Sequence, residues 1–85
     1  MNAEHNKTIH LRYYALLREE RGCNEEDIST TAKTALELYN QLKAHYSFTI
    51  SSNLVRVAIN DEFENWDVEL ATGDTVVFVP PVAGG

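Results

Sequence analysis

The residues best suited to chemistry in this chain form its C-terminal run, Pro80-Pro81-Val82-Ala83-Gly84-Gly85. Two prolines remove two backbone donors and fix φ, so a strand reaching Val79 stops there. The residue before each proline is pushed to extended geometry, and the chain leaves its strand straight. Six such residues reach roughly 20 Å at about 3.3–3.6 Å each. Past the prolines the side chains dwindle to nothing, and the run closes on a carboxylate. A carboxylate is inert until activated, commonly as an acyl-adenylate made with ATP. Activation requires entry into another protein's narrow site, where only glycine lets the backbone pass walls that a Cβ would strike. Gly85 is thus the candidate reacting residue, and Pro80, Pro81, Val82, Ala83 and Gly84 the stalk that inserts. Gly-Gly alone is equally compatible with a frayed end. Its attachment to a strand through Pro-Pro favours the probe.

Elsewhere the chemistry-bearing residues stand apart. Cys23 is followed by Asn24, Glu25 and Glu26, acids that disfavour a thiolate, so it reads as an incidental thiol. His5, His10 and His45 belong to separate elements without ligand spacing, and no metal site is expected. Glu19-Glu20 and Glu25-Glu26-Asp27 read as solvated faces rather than acid–base pairs.

The elements that must position the tail follow from periodicity. From Thr8 to Tyr14, Ile9, Leu11 and Tyr13 alternate with His10, Arg12 and Tyr14, the period of a half-buried strand. Ala15 to Arg21 is a short helix of good helix formers, stopped by Gly22. Glu26 to Thr30 is a weak second strand. Thr34 and Glu37 form a capping box opening a helix from Ala35 to about Tyr46, along which Ala35, Leu38, Tyr39, Leu42 and Tyr46 make one apolar stripe. Val55, Val57 and Ile59 alternate as a further strand. Asn60-Asp61 suits a two-residue hairpin turn into a strand over Glu62 to Trp66. Thr72-Gly73-Asp74 turns the chain into the apolar run Thr75 to Val79.

Runs apolar on both faces sit in sheet centres. Placing both terminal strands side by side, with one helix across one face, gives an α+β, β-grasp (ubiquitin-like) fold. Its mixed sheet has about five strands, and a flexible C-terminal tail follows. Ile9, Leu11, Tyr13, Leu38, Leu42, Val57, Ile59, Val76 and Phe78 are the expected core. Residues 1–7 read as a disordered lead, 8–79 as the domain and 80–85 as the tail. On the open side of the sheet Tyr14, Phe63, Val77 and Val79 are expected to gather beside the departing tail, as a patch for a partner protein.

Composition limits the partners. Seven Lys and Arg lie scattered among thirteen Asp and Glu, a net charge of −6, which argues against nucleic acid. An acidic chain suits a partner with a basic groove. No apolar stretch nears the roughly 20 residues that cross a bilayer, and the polar start lacks the order of a signal peptide. With its single Cys, the chain is expected in the cytoplasm.

The ending Val79-Pro80-Pro81-Val82-Ala83-Gly84-Gly85, after Thr72-Gly73-Asp74-Thr75-Val76, resembles the small subunit of molybdopterin synthase, a MoaD-type carrier of the MoaD/ThiS ubiquitin-like family. Leu11-Arg12-Tyr13-Tyr14-Ala15-Leu16-Leu17-Arg18-Glu19 and Ala58-Ile59-Asn60 are similar to the same family. The resemblance implies a cycle centred on Gly85. An E1-like adenylyltransferase activates its carboxylate with ATP, and a sulfur donor of the cysteine desulfurase or rhodanese type converts it to a thiocarboxylate. The tail then enters the synthase large subunit, in a heterotetramer, and gives its sulfur to the cyclic pyranopterin precursor of molybdopterin. It also implies no permanently bound cofactor. Carriers for thiamine, tRNA thiolation or cysteine synthesis, and ubiquitin-like protein modifiers, also end in Gly-Gly and remain alternatives.

Overall fold

The computed structural model describes residues 6–81. Its elements run β1 (Lys7–Tyr13), α1 (Ala15–Arg21), β2 (Glu25–Thr30), α2 (Ala35–Tyr46), a 3-10 turn (Ser52–Leu54), β3 (Arg56–Ile59), β4 (Glu62–Glu64) and β5 (Thr75–Val79). The sheet has five strands in the order β2-β1-β5-β3-β4. β5 lies parallel to β1 (Leu11 opposite Val76, Tyr13 opposite Phe78) and antiparallel to β3 (Val57 opposite Phe78). Both terminal strands are therefore central and adjacent, the β-grasp arrangement expected from the apolar runs at the two ends.

One face of the sheet carries the core. Ile9, Leu11, Tyr13, Leu38, Leu42, Val57, Ile59, Val76 and Phe78 are all buried, as expected, joined by Leu17, Tyr39, Phe48, Val55 and Leu70. Aromatic rings fill the middle: Trp66 stacks on Phe78 with centroids 5.9 Å apart, and Tyr39 meets Phe78 edge-on at 5.1 Å. Such pairs add to what area burial alone supplies.

The strand boundaries differ in instructive ways. β1 begins at Lys7, inside the expected lead, because Lys7 pairs with Thr30 and its Nζ donates to the Ala32 carbonyl; residues 1–5 of that lead lie outside the described residues. Tyr14 leaves the strand to become the N-cap of α1, since Ala15 turns the backbone with φ 53°. β4 ends at Glu64 rather than Trp66, because Trp66 turns inward to the core. In doing so its carbonyl accepts from Leu36 N, and the Val68 carbonyl accepts from Ala35 N. Two donors orphaned at the start of α2 are thereby satisfied.

The predicted capping box is half made. Thr34 Oγ1 accepts from Glu37 N at 3.2 Å, but the Glu37 carboxylate reaches Lys33 N, one residue further back. Asn60 and Asp61 carry φ of 51° and 74°, the two left-handed residues that a type I′ turn demands. Asn60 also locks the hairpin to β5, donating from Nδ2 to Asp74 and accepting from Thr75 N. Gly73, at φ 91°, donates its N–H to the Thr8 carbonyl and so ties the turn before β5 to β1.

Candidate functional site

β5 delivers the chain to the tail. It ends at Val79, as two prolines require. Pro80 is buried and Pro81 exposed. Pro81 lines a cavity of about 400 Å³ with Ala15, Leu16, Glu19 and Ile50, which sets it beside the start of α1. Val82, Ala83, Gly84 and Gly85, the expected insertion segment and reacting residue, lie outside the described residues.

The sheet face away from α2 carries Val77, Val79 and Phe63. Pairing places Arg12, Val77, Ala58 and Phe63 in one row across β1, β5, β3 and β4. Val79 stands opposite Arg56 on the same face. Phe63 is 55% exposed and Tyr14 41%. Val77 and Val79 are half-buried. Tyr14 sits one position beyond the Tyr13–Phe78 pair, at the end of the sheet where β5 gives way to the prolines. The four predicted residues thus share one side and one end of the molecule. Ala58, buried but outside the core cluster, completes the apolar strip between Phe63 and Val77.

Sequence reasoning missed the cations of this face. Arg56 Cζ lies 3.8 Å from the centroid of the Phe63 ring, and Arg12 Cζ 5.9 Å from that of Tyr14. His10, beside Arg12 on the same face, is held between two carboxylates of the edge strand: Nδ1 stands 2.6 Å from Asp27 and Nε2 2.7 Å from Glu25. Both bonds exist only with the imidazolium, whose two nitrogens donate. The bonds to Asp27 and then Glu25 raise its pKa above the ordinary 6.5. The alternation of β1 had put His10 and Arg12 on the open side. The signal lay in reading charge together with face.

A second charged cluster braces α1 against β2. Arg21 Nε and Nη2 donate to Glu26 at 2.8 and 2.7 Å, and Tyr13 OH donates to the same carboxylate at 2.7 Å. The Arg21 guanidinium holds the Glu26 carboxyl below its usual range. Burial and the Glu26 bond push the Tyr13 phenol up. The cluster is structural and lies on the core side. Cys23 is half-buried. Among the described residues, no three His, Cys, Asp or Glu side chains come together as a metal site would need, and no helix is long and apolar enough to cross a membrane.

Comparison with known proteins agrees with this geometry. Among solved structures, the Haloferax volcanii HVO 2177 protein matches with a TM-score of 0.81 and 24% identity, over 100% of this chain and 92% of its own. A Pyrococcus furiosus chain assigned as molybdopterin converting factor, subunit 1, matches with a TM-score of 0.72 and 26% identity, over 89% of this chain and 99% of its own. The small archaeal modifier protein 1 of Methanosarcina acetivorans matches with a TM-score of 0.74 and 21% identity, over 95% and 99%. Comparison with curated protein sequences gave no match. The ThiS family matches residues 11–85, nearly the whole β-grasp domain and the tail with it. The chain therefore belongs to the ThiS/MoaD family of ubiquitin-like sulfur carriers.

Proposed function

We propose that this chain is the sulfur-carrying small subunit of a molybdopterin synthase, acting in the cytoplasm. An E1-like adenylyltransferase joins the Gly85 carboxylate to AMP, releasing pyrophosphate from ATP. The terminal sulfur of a persulfide on a cysteine desulfurase or rhodanese-type donor then displaces AMP, giving an acyl disulfide. A second thiol cleaves its S–S bond to release the thiocarboxylate, itself ending in a disulfide with the donor. The tail enters the large subunit, and the sulfur passes to cyclic pyranopterin monophosphate; two deliveries complete the dithiolene of molybdopterin. The observation that carries this reading is the run Pro80-Pro81-Val82-Ala83-Gly84-Gly85 issuing directly from the central strand β5. The strand that leads into it, β5, carries Val77 and Val79 on an open face suited to a large partner. The P. furiosus relative assigned as molybdopterin converting factor, subunit 1, supports the same pathway.

A protein modifier is the second reading, favoured by the shared fold with the archaeal modifier protein. There the activated Gly85 would form an isopeptide bond with a lysine. The deciding measurement is the intact mass of the chain after incubation with the activating enzyme, ATP and a sulfur donor. An increment equal to exchanging one oxygen for sulfur, lost when Gly85 is deleted, is expected. Adducts on lysines with no such increment would move the assignment to a modifier. An unaltered mass, with enzymes active on another carrier, would refute both.

A further inference from the structure

The open face gathers arginines in a chain that is acidic as a whole. The protein carries a net charge of −6, yet Arg12 and Arg56 flank the Phe63–Ala58–Val77–Val79 strip from its two sides. Arg18 joins Arg12 in lining a cavity of about 250 Å³ with Tyr13, Tyr14, Asn24 and Glu25, at the end where β5 gives way to the tail. The acids that could cancel these cations are engaged elsewhere. Glu25 stands directly across the strand pair from Arg12, but its carboxylate lies on His10 Nε2 at 2.7 Å, while Asp27 takes Nδ1 at 2.6 Å. Glu62 and Glu64 of β4 pair with the core-facing Ile59 and Val57, which places them on the opposite side from Phe63. Glu26 is held by Arg21 at 2.7 Å. Among the described residues, Arg12, Arg18 and Arg56 form no ion pair.

We infer that this face is built for a protein surface that is acidic around an apolar centre, and that its first such partner is the activating enzyme that must take in Gly85. Enzyme carboxylates would meet Arg12, Arg18 and Arg56. Guanidinium groups suit this role, because their fixed fork pairs with carboxylates bidentately. Val77, Ala58 and Phe63 supply the desolvated middle. The remaining acids keep the chain soluble and turn other faces away, so charge selects the docking face before the tail is threaded. This inference rests on the activation step of the proposed function and adds the chemistry of the surface that performs it.

The test is the steady-state kinetics of Gly85 adenylylation across ionic strength, with the full chain as substrate. The double variant Arg12→Glu, Arg56→Glu is compared with Lys33→Glu, Lys43→Glu, which alters net charge equally but lies in and before α2 on the other side of the sheet. The expected result is a KM raised about tenfold or more for the arginine variant with kcat within about twofold, as rim charges act on encounter. Its rate should also lose the salt dependence of the wild type, and Arg12→Lys, which keeps the charge without the fork, should give a KM between wild type and the arginine variant. Equal KM values for the two double variants would overturn the inference, as would an arginine variant indistinguishable from wild type. A concentration-dependent dimer of the chain alone, abolished in the arginine variant, would seat a second copy there and overturn it too. Failure of the wild-type chain to be adenylylated at all would instead remove the sulfur-carrier reading, and this inference with it.

Discussion

Phe78 and Phe63 lie on opposite faces of the same sheet, and truncating each separates stability from recognition. Phe78 is fully buried on the central strand, stacked on Trp66 at 5.9 Å and edge-on to Tyr39 at 5.1 Å. Removing a buried phenyl ring costs about 3–5 kcal/mol, and the cost rises with how little the site can collapse. Here the ring is gripped by two other aromatics and two strands, so Phe78→Ala belongs in the upper half of that range. For a domain of this size each kcal/mol lowers Tm by about 4–8 °C, so the variant should lose at least about 15 °C. Phe63 is 55% exposed and touches no core ring; its recorded partner is the Arg56 guanidinium at 3.8 Å, a contact of about 0.5–1 kcal/mol at an exposed site. Phe63→Ala should therefore cost less than about 1 kcal/mol while weakening the complex with the large subunit. Trp66, the only tryptophan, reports both variants by fluorescence in urea, because its ring lies on Phe78. If Phe78→Ala lost less than about 1 kcal/mol, the aromatic core would be misplaced. If Phe63→Ala lost more than about 2 kcal/mol, the open face would be part of the fold rather than a docking surface.

Glu26→Gln should cost about 1–3 kcal/mol near neutral pH, because it leaves Arg21 without its charge partner. The Glu26 pKa is lowered in the fold, chiefly by Arg21, so its stabilisation is present above the unfolded value and lost as pH falls through the folded one. The urea midpoints of wild type and variant should accordingly converge in acid, and a gap independent of pH would contradict the pairing. His10 has the opposite sign: its pKa is raised by Asp27 and Glu25, so its stabilisation is full below 6.5 and fades as pH climbs through the folded value. An NMR titration of the His10 ring should show a midpoint above 6.5, and a midpoint at or below it would exclude the double clamp. Gly84→Val places a branched Cβ where the activating enzyme must close on the tail, and should suppress adenylylation with Tm unchanged; normal adenylylation would refute the narrow-channel reasoning.

The parts of the fold legible in the sequence were those whose burial is periodic. Ile9, Leu11 and Tyr13 alternate, Leu38 and Leu42 recur at helical spacing, and Val76 and Phe78 sit in an apolar run; all are buried. The strand expected to reach Trp66 stops at Glu64. Trp66, Val68 and Leu70 still alternate with Asp67 and Glu69 and turn to the core. Their backbone, however, bonds to Leu36, Ala35 and Lys33 at the start of α2 instead of extending the sheet, a long-range pairing that no local pattern announces. Tyr14 was assigned to the strand because alternation continues through it; the left-handed Ala15 that ends the strand has no sequence signature of its own. That Phe63, Val77 and Val79 share the open face was legible because face follows from strand period once the hairpin turn is fixed. The arginines of that face were missed because charge was not read together with face. The alternation that puts Val77 and Phe63 on the open side puts Arg12 and Arg56 there too, and side-chain geometry then shows Glu25 spent on His10.

That diversion joins the two halves of the molecule's work. A carrier of this family must be rigid where it docks and slender where it reacts. The parallel β1–β5 pairing fixes the root of the tail in the sheet centre, where Tyr13 and Phe78 stand opposite each other and fraying is least favourable. The same register places Arg12 beside Val77 and Val77 beside Ala58, so the strands that anchor the tail also build the face beside it. His10, by holding Glu25 and Asp27, leaves Arg12 available on that face. Docking charge, apolar centre and tail root are thus set by one strand pairing. A partner that docks on this face would meet the root of the tail, Val79 and Pro80, at a fixed offset from the strip, which is what threading a carboxylate into a distant site requires.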